Sequence, residues 1–86
     1  MRSRWTVRFA PEVQHEKYRI PRGEAAQFQD AIAILFDGPA PAGYAPLSGH
    51  PSIFAYERNG YQIWYEVIEA ARSIRVLYFE ARSSSD

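Results

Sequence analysis

The 86 residues are enough for one domain and leave no room for a second core. A hydrophobic fraction of 47% and an aromatic fraction of 15% supply that core and exclude a disordered chain. The absence of cysteine excludes a disulfide framework and a thiolate metal site, and a formal net charge of zero argues against a strongly basic nucleic-acid binder.

The first predicted element is a strand. In Arg4-Trp5-Thr6-Val7-Arg8-Phe9 the apolar Trp5, Val7 and Phe9 alternate with Arg4, Thr6 and Arg8, which is the period of a half-buried strand. Pro11 ends it and suits the first turn of a helix, with Glu12 near the positive end of the helix dipole. That short helix is expected over residues 11 to about 18, because Pro21 prevents its continuation. A second helix is predicted over residues 24–36, where Ala25, Phe28, Ile32 and Leu35 recur at helical spacing while Glu24, Gln27 and Asp30 fall outside the stripe. Asp37-Gly38-Pro39 stops it, the glycine as a left-handed cap and the proline as a block.

Residues 38–51 hold four prolines and three glycines and read as a connecting loop, pinned to the core by Tyr44 and Leu47. Strands follow over residues 52–58, 61–68 and 74–80. Asn59-Gly60 joins the first two, because both positions of a two-residue type I′ turn take positive φ. A looser turn spans residues 69–73, and a polar tail starts at about residue 82. The order strand–helix–helix followed by an antiparallel three-strand meander predicts a single α+β domain over residues 1–86, with the helices packed on one face of a small antiparallel sheet.

Charge is spread unevenly. Residues 1–22 carry Arg2, Arg4, Arg8, Lys17, Arg19 and Arg22 against Glu12 and Glu16, whereas residues 23–71 carry Arg58 against Glu24, Asp30, Asp37, Glu57, Glu66 and Glu69. Lys17 is the only lysine; every other basic residue is arginine, the side chain better suited to phosphate recognition. No apolar h-region backs the charged N-terminal residues, and no apolar run approaches the roughly 20 residues a bilayer requires. A cytoplasmic protein without membrane contact is the expectation.

The run Phe9-Ala10-Pro11-Glu12-Val13, the helix ending at Leu35, Leu47-Ser48-Gly49, Gly60-Tyr61-Gln62-Ile63-Trp64-Tyr65-Glu66-Val67 and Ile74-Arg75-Val76-Leu77 together resemble the RelE/ParE superfamily. The similarity spans nearly the whole chain. It implies a toxin of a type II toxin–antitoxin pair, neutralised by a cognate antitoxin protein. RelE-like members cut messenger RNA in the ribosomal A site; ParE-like members inhibit DNA gyrase and have no nuclease chemistry. The leading expectation is a ribosome-dependent mRNA endonuclease, with ribosome and mRNA as partners and no metal or cofactor. The alternative is a gyrase-inhibiting or catalytically inactive protein-binding toxin.

RNA cleavage by 2′-hydroxyl attack needs a base, an acid and cations around the phosphorane. Arg82 follows the last strand where the resemblance places a phosphate-contacting basic residue, with a solvated tail arginine as the equal alternative. Arg58 could add a second positive charge, Tyr56 could donate a proton or stack, and Glu57 could take one. Arg4, Arg8 and Arg22, with His50 in the Gly49-His50-Pro51 turn, are the candidate RNA contacts, although each also reads as ordinary surface. Two departures stand out: Gln62 occupies the position where RelE-like nucleases carry an arginine, and no tyrosine or histidine lies between residues 82 and 86.

Overall fold

The computed structural model describes residues 4–81. Five strands form one sheet in the order β1-β5-β4-β3-β2: β1 is Thr6–Phe9, β2 Ala45–Leu47, β3 His50–Arg58, β4 Tyr61–Ile68 and β5 Ser73–Ala81. The β2–β3–β4–β5 portion is antiparallel, and β1 lies parallel to β5. Helices α1, Pro11–Lys17, and α2, Ala25–Ala33, belong to the α+β arrangement predicted, but the sheet is mixed and has two more strands than the meander alone.

Local chemistry accounts for most of these boundaries. Pro11 occupies the first turn of α1 with Glu12 beside it, and His15 and Lys17 sit in the last turn, where cations favour the dipole. α2 is shorter than the predicted 24–36 segment, because its ends tighten into 3₁₀ turns at Arg22–Glu24 and Ile34–Asp37. Asn59 and Gly60 adopt φ of 56° and 83°, as the two-residue hairpin requires. Asn59 also donates from Nδ2 to the Gln27 carbonyl at 3.0 Å, tying the hairpin tip to α2.

The Pro/Gly segment differs from its expected loop. Its residues Ala45–Leu47 pair with β3 as a short edge strand, where Pro46 costs no interior hydrogen bond. β3 accordingly begins at His50, which pairs with Leu47, so His50 is a strand residue and not a turn residue.

Both helices lie on one sheet face. Phe28, Ala31, Ile32 and Leu35 from the second helical segment bury against Tyr56, Tyr61, Ile63, Tyr65, Val67, Ile74 and Val76. Ala25, counted in the predicted stripe, is exposed. Phe28 is the aromatic centre, with ring centroids 4.6 Å from Phe79, 5.2 Å from Tyr61 and 6.1 Å from Phe9. The buried tyrosines keep their hydroxyls bonded: Tyr65 to the Pro39 carbonyl and Tyr61 to Glu24 at 2.9 Å. Tyr44 stays half out of the core, packing on Phe54 at 5.6 Å.

Candidate nucleic-acid interface

β4 alternates strictly. Tyr61, Ile63, Tyr65 and Val67 are buried under the helices, so Gln62, Trp64, Glu66 and Ile68 point to the opposite face. Among the described residues no helix packs on that face. Strand register then determines which residues meet there.

Three cross-strand rows result. Nearest the hairpin, Glu57 opposes Gln62, which opposes Glu80. In the middle, Ala55 opposes Trp64 and Trp64 opposes Tyr78, with the two rings 5.1 Å apart. Beyond these, Ile53, Glu66, Arg75 and Arg8 form a row across four strands. Directly opposed side chains on neighbouring antiparallel strands have Cβ atoms about 4.5–5.5 Å apart, which sets Glu66 beside Arg75. Next to that row, Thr6, Arg8, Ile68, Ala71, Ser73 and Arg75 line a depression of about 300 Å³.

The middle row depends on a bulge. Between Trp64 and Tyr65 the register slips, so that Tyr65 pairs with Val76 and Leu77 is the extra residue on β5. Without it, the alternation from Ile74 and Val76 would turn Tyr78 inward. With it, Phe79 packs on Phe28 and Tyr78 is 40% exposed on the open face. The Tyr78 hydroxyl donates to Glu80 Oε1 at 2.5 Å, and this bond raises its pKa. Trp64 Nε1 is enclosed and has no hydrogen-bond partner.

The candidate site residues are dispersed. Glu57 and Arg8 reach the open face, while Arg4 is exposed just ahead of β1. Arg58 ends β3 opposite Tyr61, with the parity of the helix-facing residues, and Arg22 lies in the turn before α2. His50 is exposed at the β2–β3 edge, remote from the hairpin end. Arg82 lies outside the described residues.

Tyr56 is corrected. It is 3% exposed, and its hydroxyl donates to the Ala31 carbonyl at 2.6 Å beneath α2. Burial first, and Tyr65 second, push its pKa well above the ordinary tyrosine value, with Arg58 pulling the other way. A phenol so enclosed packs the core. Tyr56→Phe should lower stability by about 0.5–1.5 kcal/mol, the worth of one hydrogen bond, which urea titration checks.

Arg75 and Tyr78 are open-face groups that sequence reasoning did not name as sites. The exposed slot between Ile74 and Val76 marks Arg75 as solvent-facing, yet nothing local says that Arg8 lies beside it. Among the described residues no group of three or more His, Cys, Asp and Glu side chains is placed to hold a metal. No helix among them is long and apolar enough to cross a membrane.

No protein-family model and no curated protein matches the sequence. Solved structures do match. The isolated Escherichia coli RelE toxin superposes with a TM-score of 0.76 at 17% identity, covering 95% of this chain and 88% of that one. A chain of the archaeal RelE–RelB complex from Pyrococcus horikoshii OT3 gives 0.74 at 19% identity, covering 94% and 98%. A chain of the Mycobacterium tuberculosis toxin–antitoxin complex RelBE2 gives 0.74 at 23% identity, covering 92% of each. At these identities the likeness establishes architecture: the chain has the RelE toxin fold.

Proposed function

We propose that this chain is the toxin of a toxin–antitoxin pair and cleaves messenger RNA on the ribosome, without a metal, on the open face of its sheet. The observation that carries the reading is the end-to-end likeness to RelE toxins, both isolated and within antitoxin complexes. A cognate antitoxin is the proposed protein partner, ribosome and mRNA the target, and the cytoplasm the site of action.

In this reading Glu57, an exposed carboxylate on the strand beside Gln62, takes the proton as the 2′-oxygen bonds to phosphorus. The 5′-oxygen leaves as its bond to phosphorus breaks and takes a proton from water. Arg82, which follows Ala81 of β5 in sequence, is the proposed cation for the scissile phosphate. Arg58 adds positive potential at the hairpin. Arg8, with Arg75, binds a neighbouring phosphate at the far row. Arg4 extends that charge along the β1 edge, while Arg22 and His50, standing apart, suit contacts with the ribosomal RNA backbone.

A second reading has its own support. Tyr56 is sequestered, and Gln62 stands between Glu57 and Glu80 where a cation would serve cleavage better. A toxin that acts by binding a protein, DNA gyrase among the choices, tolerates both features. Purified protein incubated with mRNA-programmed ribosomes separates the two. Cuts mapped to the A site by primer extension are expected. Ribosome binding without cuts would end the nuclease reading, and stoichiometric inhibition of gyrase supercoiling would establish the other.

A further inference from the structure

We propose that Trp64 and Tyr78 form a stacking site for a nucleobase of single-stranded RNA, whose flanking phosphate is held by Arg75 and Arg8. The inference rests on the reading that the open face carries RNA, and it adds Trp64 and Tyr78, which that reading does not use.

Four observations converge. The two rings are cross-strand neighbours 5.1 Å apart and inclined at 53°, and Tyr78 is 40% exposed. The β5 bulge is what turns Tyr78 outward, and such bulges commonly re-aim side chains at functional sites. Trp64 Nε1 is an enclosed donor with no acceptor, which a base carbonyl or ring nitrogen could satisfy on binding. One row further along, about 7 Å by strand geometry, the Arg75–Arg8 pair supplies two guanidinium groups. That step is on the scale of one nucleotide of an extended strand.

The combination favours a nucleic acid over an apolar protein segment, because a stacked base brings its own anion to the arginines. It favours single strands over duplex, because paired bases keep their faces covered by their neighbours.

The full chain carrying Trp5→Phe leaves Trp64 as the sole indole reporter. Titration with short oligoadenylate should quench its fluorescence saturably, and an RNA duplex should not. Tyr78→Ala should weaken binding about 5- to 150-fold, the usual loss of one base stack converted to affinity. Tyr78→Leu, which keeps apolar bulk without a ring, should do the same, whereas Tyr78→Phe should bind as the parent does. Arg8→Ala and Arg75→Ala combined should reduce the slope of log affinity against log salt by about 0.7, the share of one phosphate.

Silent Trp64 fluorescence, or equal affinity for the parent and both ring-less Tyr78 variants, would overturn the proposal. So would fluorescence that follows protein concentration without RNA, which would mean that a second copy covers the face. Cutting of A-site mRNA with Trp64 silent removes the stacking site and leaves the toxin reading intact. Oligoadenylate binding without any cutting keeps the stacking site and removes the nuclease.

Discussion

Glu57→Gln should lower A-site cleavage by about 10²–10⁴-fold, the range typical of a lost general base, while circular dichroism stays that of the parent. The substitution keeps size and shape and removes the carboxylate's charge and proton affinity, at an exposed position of β3. Growth arrest on induction should fade in parallel if cleavage is the toxic act. Cleavage within a few-fold of the parent would take Glu57 out of the mechanism. Arrest that persists without cleavage would instead favour the protein-binding toxin.

The largest stability loss is expected from Phe28→Ala. Phe28 is 2% exposed and its ring meets Phe9, Tyr61 and Phe79, so truncation opens a cavity where α2 meets the sheet. Comparable aromatic truncations cost about 3–5 kcal/mol, a large share of the roughly 5–15 kcal/mol that holds a domain together. For a chain of this size that lowers Tm by about 12 °C or more, which calorimetry would read directly. Phe28→Leu keeps most of the volume and should lose clearly less. Equal losses for the two variants would mean that the ring contacts, rather than the filled volume, dominate.

Sequence legibility followed the range of the interactions concerned. Phe28, Ile32 and Leu35 announce a helix because their spacing is local, and Asn59-Gly60 announces a hairpin because its φ demands are local. Ala45–Leu47 is invisible to periodicity: three residues with Pro46 among them hold no alternation, and only pairing to Ala55, Phe54 and His50 makes them a strand. The parallel partnership of β1 with β5 is likewise absent from either strand's own pattern.

The site was harder to read for the same reason. Glu57 and Arg8 were visible as exposed strand positions, but their neighbours come from register. Strict alternation would have sent Tyr78 into the core, and one extra residue at Leu77 reverses that. Tyr56 misleads in the opposite sense, since its solvent or core orientation depends on α2 lying overhead.

The parallel pairing of β1 with β5 has a consequence for biogenesis. Thr6 finds its partner only in Ser73 and Arg8 only in Arg75, so the strand made first must wait for the strand made last. During translation a nascent chain can build the β3–β4 hairpin, but the Arg8–Arg75 pair does not exist until nearly the whole domain has emerged. A protein proposed to attack translating ribosomes thus lacks part of its proposed RNA-holding surface while still attached to the one that makes it.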